Sequence, residues 1–113
     1  MEINDAVAAL SALAQGPRLA VFRLLVAAGP DGLAAGEIAR RTGVAANTLS
    51  AQLTVLTQAG LTAARREGRS IIYSADYAVV SQVLAFLMDD CCGGRPEVCA
   101  PLAGITERAC CAA

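Results

Sequence analysis

Apolar positions along this chain repeat with a helical period, except in one short stretch past the middle. Ile3, Val7, Leu10 and Ala14 form a one-sided stripe that predicts a helix over Ile3 to Ala14, which Gly16-Pro17 then breaks. Pro17 suits the first turn of a second helix, Arg18 to Ala28, with Leu19, Phe22, Leu25 and Val26 as its expected buried face. Gly29-Pro30-Asp31-Gly32 reads as a turn. A short third helix, Ala35 to Arg41, ends at Thr42-Gly43, where glycine can take the left-handed conformation of a tight turn. In a fourth helix, Ala46 to Ala59, Leu49, Leu53 and Leu56 share one face, so Asn47, Ser50, Ala51, Thr54 and Gln58 point the other way.

After Gly60-Leu61 the period changes. Leu61 to Arg66 and Ser70 to Ser74 read as two strands joined by Glu67-Gly68-Arg69. A short helix, a glycine turn and a longer helix make the helix-turn-helix pattern, and the hairpin, carrying Arg65, Arg66 and Arg69, makes a wing. A last helix, Tyr77 to Cys92, places Val80, Val83, Leu84 and Leu87 on one side, and Gly93-Gly94 with Pro96 ends it. The fold class expected is mainly α with a β-hairpin, a winged helix-turn-helix domain over residues 1–92. A flexible, cysteine-containing tail is expected over 93–113.

Bulk properties narrow the function. A chain of 113 residues with 56% hydrophobic content suits one core and is too short for two ordinary domains. Net charge is -1, but it is unevenly divided. Between Gly36 and Ser70, five arginines (40, 41, 65, 66, 69) stand against Glu37 and Glu67, a local +3 where a DNA-facing surface would lie. The start, Met1-Glu2-Ile3-Asn4-Asp5, has acids where a secretory signal would have basic residues, so a cytoplasmic location is expected. The uncharged span Thr42 to Ala64 is interrupted by Asn47, Gln52, Gln58, Gly60 and several Thr, whereas a membrane span needs about 20 predominantly apolar residues. No membrane partner is expected. The chain has no histidine to serve a thiol nucleophile as base and no phosphate-cradling glycine motif, which argues against an enzyme.

Several segments, in order, resemble the ArsR/SmtB metalloregulators, dimeric winged-helix repressors that metal ions release from DNA. Leu13-Ala14-Gln15-Gly16-Pro17-Arg18-Leu19 is similar to the family's opening "L-A-x-P-x-R-L", with one residue more between Ala14 and Pro17. Gly36-Glu37-Ile38-Ala39 resembles its third helix, Leu53 to Leu61 its "L-x-x-L-x-x-A-G-L", and Glu67-Gly68-Arg69 with Ile72-Tyr73 its wing. The recognition segment keeps Thr48, Ser50 and Leu53 but has Gln52 where many members have His, which leaves the operator sequence open. The resemblance implies a homodimer formed by the first and last helices, with two recognition helices entering successive major grooves of double-stranded operator DNA. Asn47 and Ser50 are the candidates for base edges. Thr48 and Thr54 are the candidates for phosphates, Ala51 lies on the same face, and Arg65, Arg66 and Arg69 would add salt-dependent phosphate contacts.

The family's branches differ in where their ligands lie. One places a Cys-x-Cys on the third helix, but Leu33 to Ala39 holds no thiol; another uses Asp and His on the last helix, and histidine is absent. The C-terminal thiols remain. Cys91 and Cys92 are adjacent, so on an intact helix they would diverge by about 100°, and the helix must be ending for both to meet one ion. The Gly-Gly-Arg-Pro-Glu-Val link gives Cys99 the chain length to turn back. Thiolates select soft ions, and three of them suit As(III) or Sb(III) as effector better than four-coordinate zinc. A methylated trivalent arsenical would need only two thiols. Cys110 or Cys111 could complete a zinc site, and Cys92 with Cys99 could form a redox disulfide in a peroxide-sensing repressor. Buried packing cysteines are the remaining alternative.

Overall fold

The computed structural model describes residues 1–88. Helix α1 (Ile3–Leu13) turns its small residues inward: Ala6, Ala9 and Ala12 are buried, while Ile3, Val7 and Leu10 are exposed. The apolar stripe is therefore present, but it faces away from the core. Alanine lets α1 lie close against its neighbours, and the Arg18 Nε–H donates to the Ala12 carbonyl at 2.7 Å to fasten the bend into α2 (Gly16–Ala28). Pro17 lies in the first turn of α2, where its missing N–H costs nothing. The inward face of α2 is Val21, Phe22 and Leu25. Leu19 and Val26, expected inside, are 42% and 38% exposed, because Val21 fills the position nearest the core.

A two-residue strand that the sequence pattern does not predict follows, β1 (Leu33–Ala34). Gly32 leads into it at φ 71°, and a Cβ there would strike the Tyr73 carbonyl. Only glycine allows the two backbones this approach. Helix α3 (Ala35–Thr42) ends at Gly43, which is left-handed at φ 73°, and the Gly43 N–H donates to the Ala39 carbonyl at 2.9 Å. That is the expected turn. Helix α4 (Ala46–Gln58) buries Leu49, Leu53 and Leu56 against Val21, Leu25, Ile38 and Leu61 in one core.

The hairpin of β2 (Thr62–Glu67) and β3 (Ser70–Ala75) is antiparallel, with Arg65 opposite Ile72 and Arg66 opposite Ile71. β1 pairs with the outer side of β3, giving the sheet order β1-β3-β2. The Asp76 carboxylate accepts the Ala78 and Val79 N–H groups and starts α5 (Tyr77–Met88). Val83 on α5 is buried, Val80 is half-buried, and Leu84 and Leu87 are exposed. Among the described residues no single helix is long and apolar enough to cross a membrane.

The core position of α4 sets the first expectation. Leu56→Ala should cost about 2–5 kcal/mol in urea unfolding, since Leu56 is fully buried among other aliphatic side chains. A loss below about 1 kcal/mol would contradict this packing.

Candidate nucleic-acid interface

Burial of the α4 leucines fixes what the opposite side offers. Asn47, Thr48, Ser50, Ala51 and Thr54 are all exposed on α4, within about its first two and a half turns. Two of them are partly engaged. Asn47 Oδ1 accepts the Thr48 N–H at 3.0 Å, which leaves the side chain one acceptor lone pair and its amide NH2, a double donor. The Thr54 hydroxyl donates to the Ser50 carbonyl at 2.9 Å, so its one proton is used inside the helix and would have to be released to reach a phosphate. Ser50 presents a hydroxyl and Ala51 a methyl, the groups suited to base edges and to a thymine methyl.

Gln52 lies on the other side. It is 7% exposed, its Nε2 donates to Gln15 Oε1 at 3.4 Å, and its own Oε1 has no hydrogen-bond partner. The residue that departs from the family pattern thus packs beside the α1–α2 junction and does not belong to the exposed row. Spacing alone places position 52 next to Leu53, but only the packed structure shows that the amide is enclosed.

The three wing arginines differ. Arg65 Nη2 donates to the Asp31 carbonyl at 2.7 Å and its Nε to Glu67 at 3.4 Å, which anchors the wing's base to the turn before β1. Arg66 and Arg69 are exposed and, among the described residues, form no ion pair. Ile71, opposite Arg66 on β3, is 45% exposed, an apolar wing residue that the sequence reading does not single out.

Helix α3 carries a further charged group. Both Glu37 carboxylate oxygens accept from Arg40, Nε at 2.9 Å and Nη2 beside it, and Oε1 also accepts Arg41 Nε at 2.7 Å. The Arg40 and then the Arg41 hydrogen bonds hold the Glu37 carboxyl down to about 2, so it stays ionised wherever a protein of this kind works. Glu37 raises the Arg40 guanidinium in turn.

The predicted ligands Cys91, Cys92 and Cys99, like Cys110 and Cys111, lie outside the described residues. Among the described residues there is no group of three or more His, Cys, Asp or Glu side chains able to hold a metal ion.

Comparison with known proteins gives a consistent picture. Residues 13–64, from the end of α1 into β2, match the helix-turn-helix domain family. The chain is 32% identical over 89 residues to the HTH-type transcriptional regulator YgaV of Escherichia coli (strain K12), covering 79% of this chain and 88% of that protein. The solution structure of a homodimeric winged helix-turn-helix DNA-binding domain from Mycobacterium bovis, a possible ArsR-family regulator, superposes with a TM-score of 0.64. It is 33% identical, over 78% of this chain and 82% of that one. The transcriptional repressor BigR from Xylella fastidiosa aligns with a TM-score of 0.62 and 29% identity, over 80% of this chain and 89% of that one.

The enclosed amide yields a prediction. Gln52→Leu should leave thermal stability unchanged or raise it, because the change removes an unpaired buried oxygen and gives up one long hydrogen bond to exposed Gln15. A fall of several degrees in Tm would show instead that the Gln52–Gln15 bond holds the recognition helix in place.

Proposed function

Since this chain belongs to the ArsR/SmtB-type winged helix-turn-helix transcriptional regulators, we propose that it is a repressor whose grip on operator DNA is released by trivalent arsenic or antimony. The observation that carries the proposal is a division of chemistry along the chain. The exposed α4 row and the wing arginines lie within residues 47–69, while all five cysteines follow residue 90 and no histidine competes with them.

The geometry of the fold supports the DNA half. α4 enters a major groove, Asn47 and Ser50 meet base edges with Ala51 beside them, and Thr48 and Thr54 face the sugar-phosphate rim. Arg66 and Arg69 meet the flanking backbone, while Arg65 holds the wing at the angle that lets them do so. A second copy supplies the other half-site. The exposed Ile3, Val7 and Leu10 stripe on α1 supports this, being a row of apolar side chains that a monomer would leave in water.

The sensor half rests on donor chemistry. In a reducing compartment Cys91, Cys92 and Cys99 are thiols, and three soft donors without an imidazole fit a trivalent pyramidal ion better than a tetrahedral divalent one. Such an ion draws three sulfurs to one centre. Gathering these side chains just beyond α5 would reset the spacing of the two reading heads. A coupling of about 1–3 kcal/mol, or roughly 5- to 150-fold in affinity, is the usual scale of such linkage, and DNA must weaken ion binding by the same factor.

Fluorescence anisotropy on duplex DNA from the chain's own upstream region tests this, with arsenite, methylarsenite, antimonite, cadmium, zinc and peroxide as separate arms. Release by trivalent arsenic or antimony near stoichiometry is expected, and the order of arsenite and methylarsenite names the effector. Serine at Cys91, Cys92 or Cys99 should abolish release and keep DNA affinity within about twofold; the Cys110/Cys111 double change should leave both release and DNA affinity intact. Release by peroxide alone would make these thiols a redox switch, and release by nothing would remove the sensor.

A further inference from the structure

Three of the five arginines on the reading side already have partners within the chain. Arg65 is held by Asp31 and Glu67, and Arg40 and Arg41 share Glu37. Positions 37, 40 and 41 are spaced i, i+3 and i+4 on α3, so all three side chains lie on one helix face. The face is open to solvent, with Arg40 71% and Arg41 46% exposed at the side chain. Arg40 grips the carboxylate with both Nε and Nη2, the same two-pronged arrangement a guanidinium uses on a phosphate. In helix-turn-helix proteins the helix preceding the recognition helix is the one that crosses the DNA backbone, and here that helix is α3.

We infer that Glu37 acts as a built-in phosphate substitute that occupies Arg40 and Arg41 and so limits the phosphate contacts α3 makes on DNA. This rests on the DNA-binding reading above. Solvent-exposed ion pairs of this kind add little to folding stability, so a backbone phosphate can replace the carboxylate as partner at small cost. What does not leave is the carboxylate's charge. It stays beside the arriving phosphates, and α3 brings one net positive charge to the backbone instead of two. Fewer counterions are released, and binding to operator and to random DNA weakens alike, because a phosphate contact carries no base information. Glu37 thereby sets how strongly and how salt-dependently the chain holds any duplex, without touching a base. It is an affinity-tuning residue placed one helix away from the reading row.

The test uses the full chain carrying Glu37→Gln, a neutral side chain of the same shape. Affinity is measured on the upstream duplex and on an unrelated duplex of equal length, across a series of salt concentrations. The expected result is a salt slope steeper by about one per subunit and binding to both duplexes tighter by roughly tenfold per subunit near 0.1 M salt. Adding Arg40→Gln and Arg41→Gln to the same chain should cancel the gain. Circular dichroism checks that each variant folds. An unchanged or shallower slope in folded Glu37→Gln, with equal or weaker binding, would overturn the inference and leave Glu37 as a helix-stabilising residue. Failure of the unaltered chain to bind any duplex would instead remove the DNA-binding reading, and this inference with it.

Discussion

The leucine row of α4 is the constraint on which the remainder depends. Leu49, Leu53 and Leu56 are each 2% exposed or less, locked among Val21, Leu25 and Ile38. A helix has one azimuth once one stripe is buried, so the burial that stabilises the domain also points Asn47, Ser50, Ala51 and Thr54 at solvent. Gly43 complements it by ending α3 in a left-handed turn, which sets the relation of α3 to α4 and with it the placement of Glu37, Arg40 and Arg41. Stability and recognition surface are thus two consequences of one packing event. A change that loosened the leucines would misdirect the reading row before it unfolded the chain.

How much of this was legible in the sequence depended on whether a local signal existed. Helices with a strong stripe and a breaker, α2 to α4, were placed to within a residue or two, and Gly43 announced its own conformation. α1 shows the limit of periodicity. Its large apolar residues form the more visible stripe, yet close helix approach favours alanine, so Ala6, Ala9 and Ala12 took the inside. β1 was silent because two residues carry no period; it exists through pairing with β3, which Gly32 permits. Individual α4 positions were readable as exposed or not, but the long-range ties of Arg65 to Asp31 and Gln52 to Gln15 were not, since they join residues 34 and 37 positions apart.

Charge follows the same division between surface and internal bookkeeping. Counting arginines gives a local +3 over residues 36–70. Counting their partners leaves Arg66 and Arg69 as the wing residues with no ion pair among the described residues, with the α3 pair held on a carboxylate. Under the proposed release mechanism, a weakly basic, partly self-neutralised face suits a regulator that must leave DNA when its thiols are occupied. Excess electrostatic affinity would have to be overcome by the same few kcal/mol of coupling that drives release.

The central claim is that the outward row of α4, held by the leucines, is the surface that reads DNA. Amide chemical-shift mapping of the reduced, isotope-labelled protein on adding duplex from its upstream region tests it most directly. Large shifts at Asn47, Thr48, Ser50 and Ala51 and at the wing residues Arg66 to Arg69, with Leu53, Leu56 and the α1 stripe unmoved, are what the account predicts. Shifts concentrated on α1, with α4 silent, would contradict it.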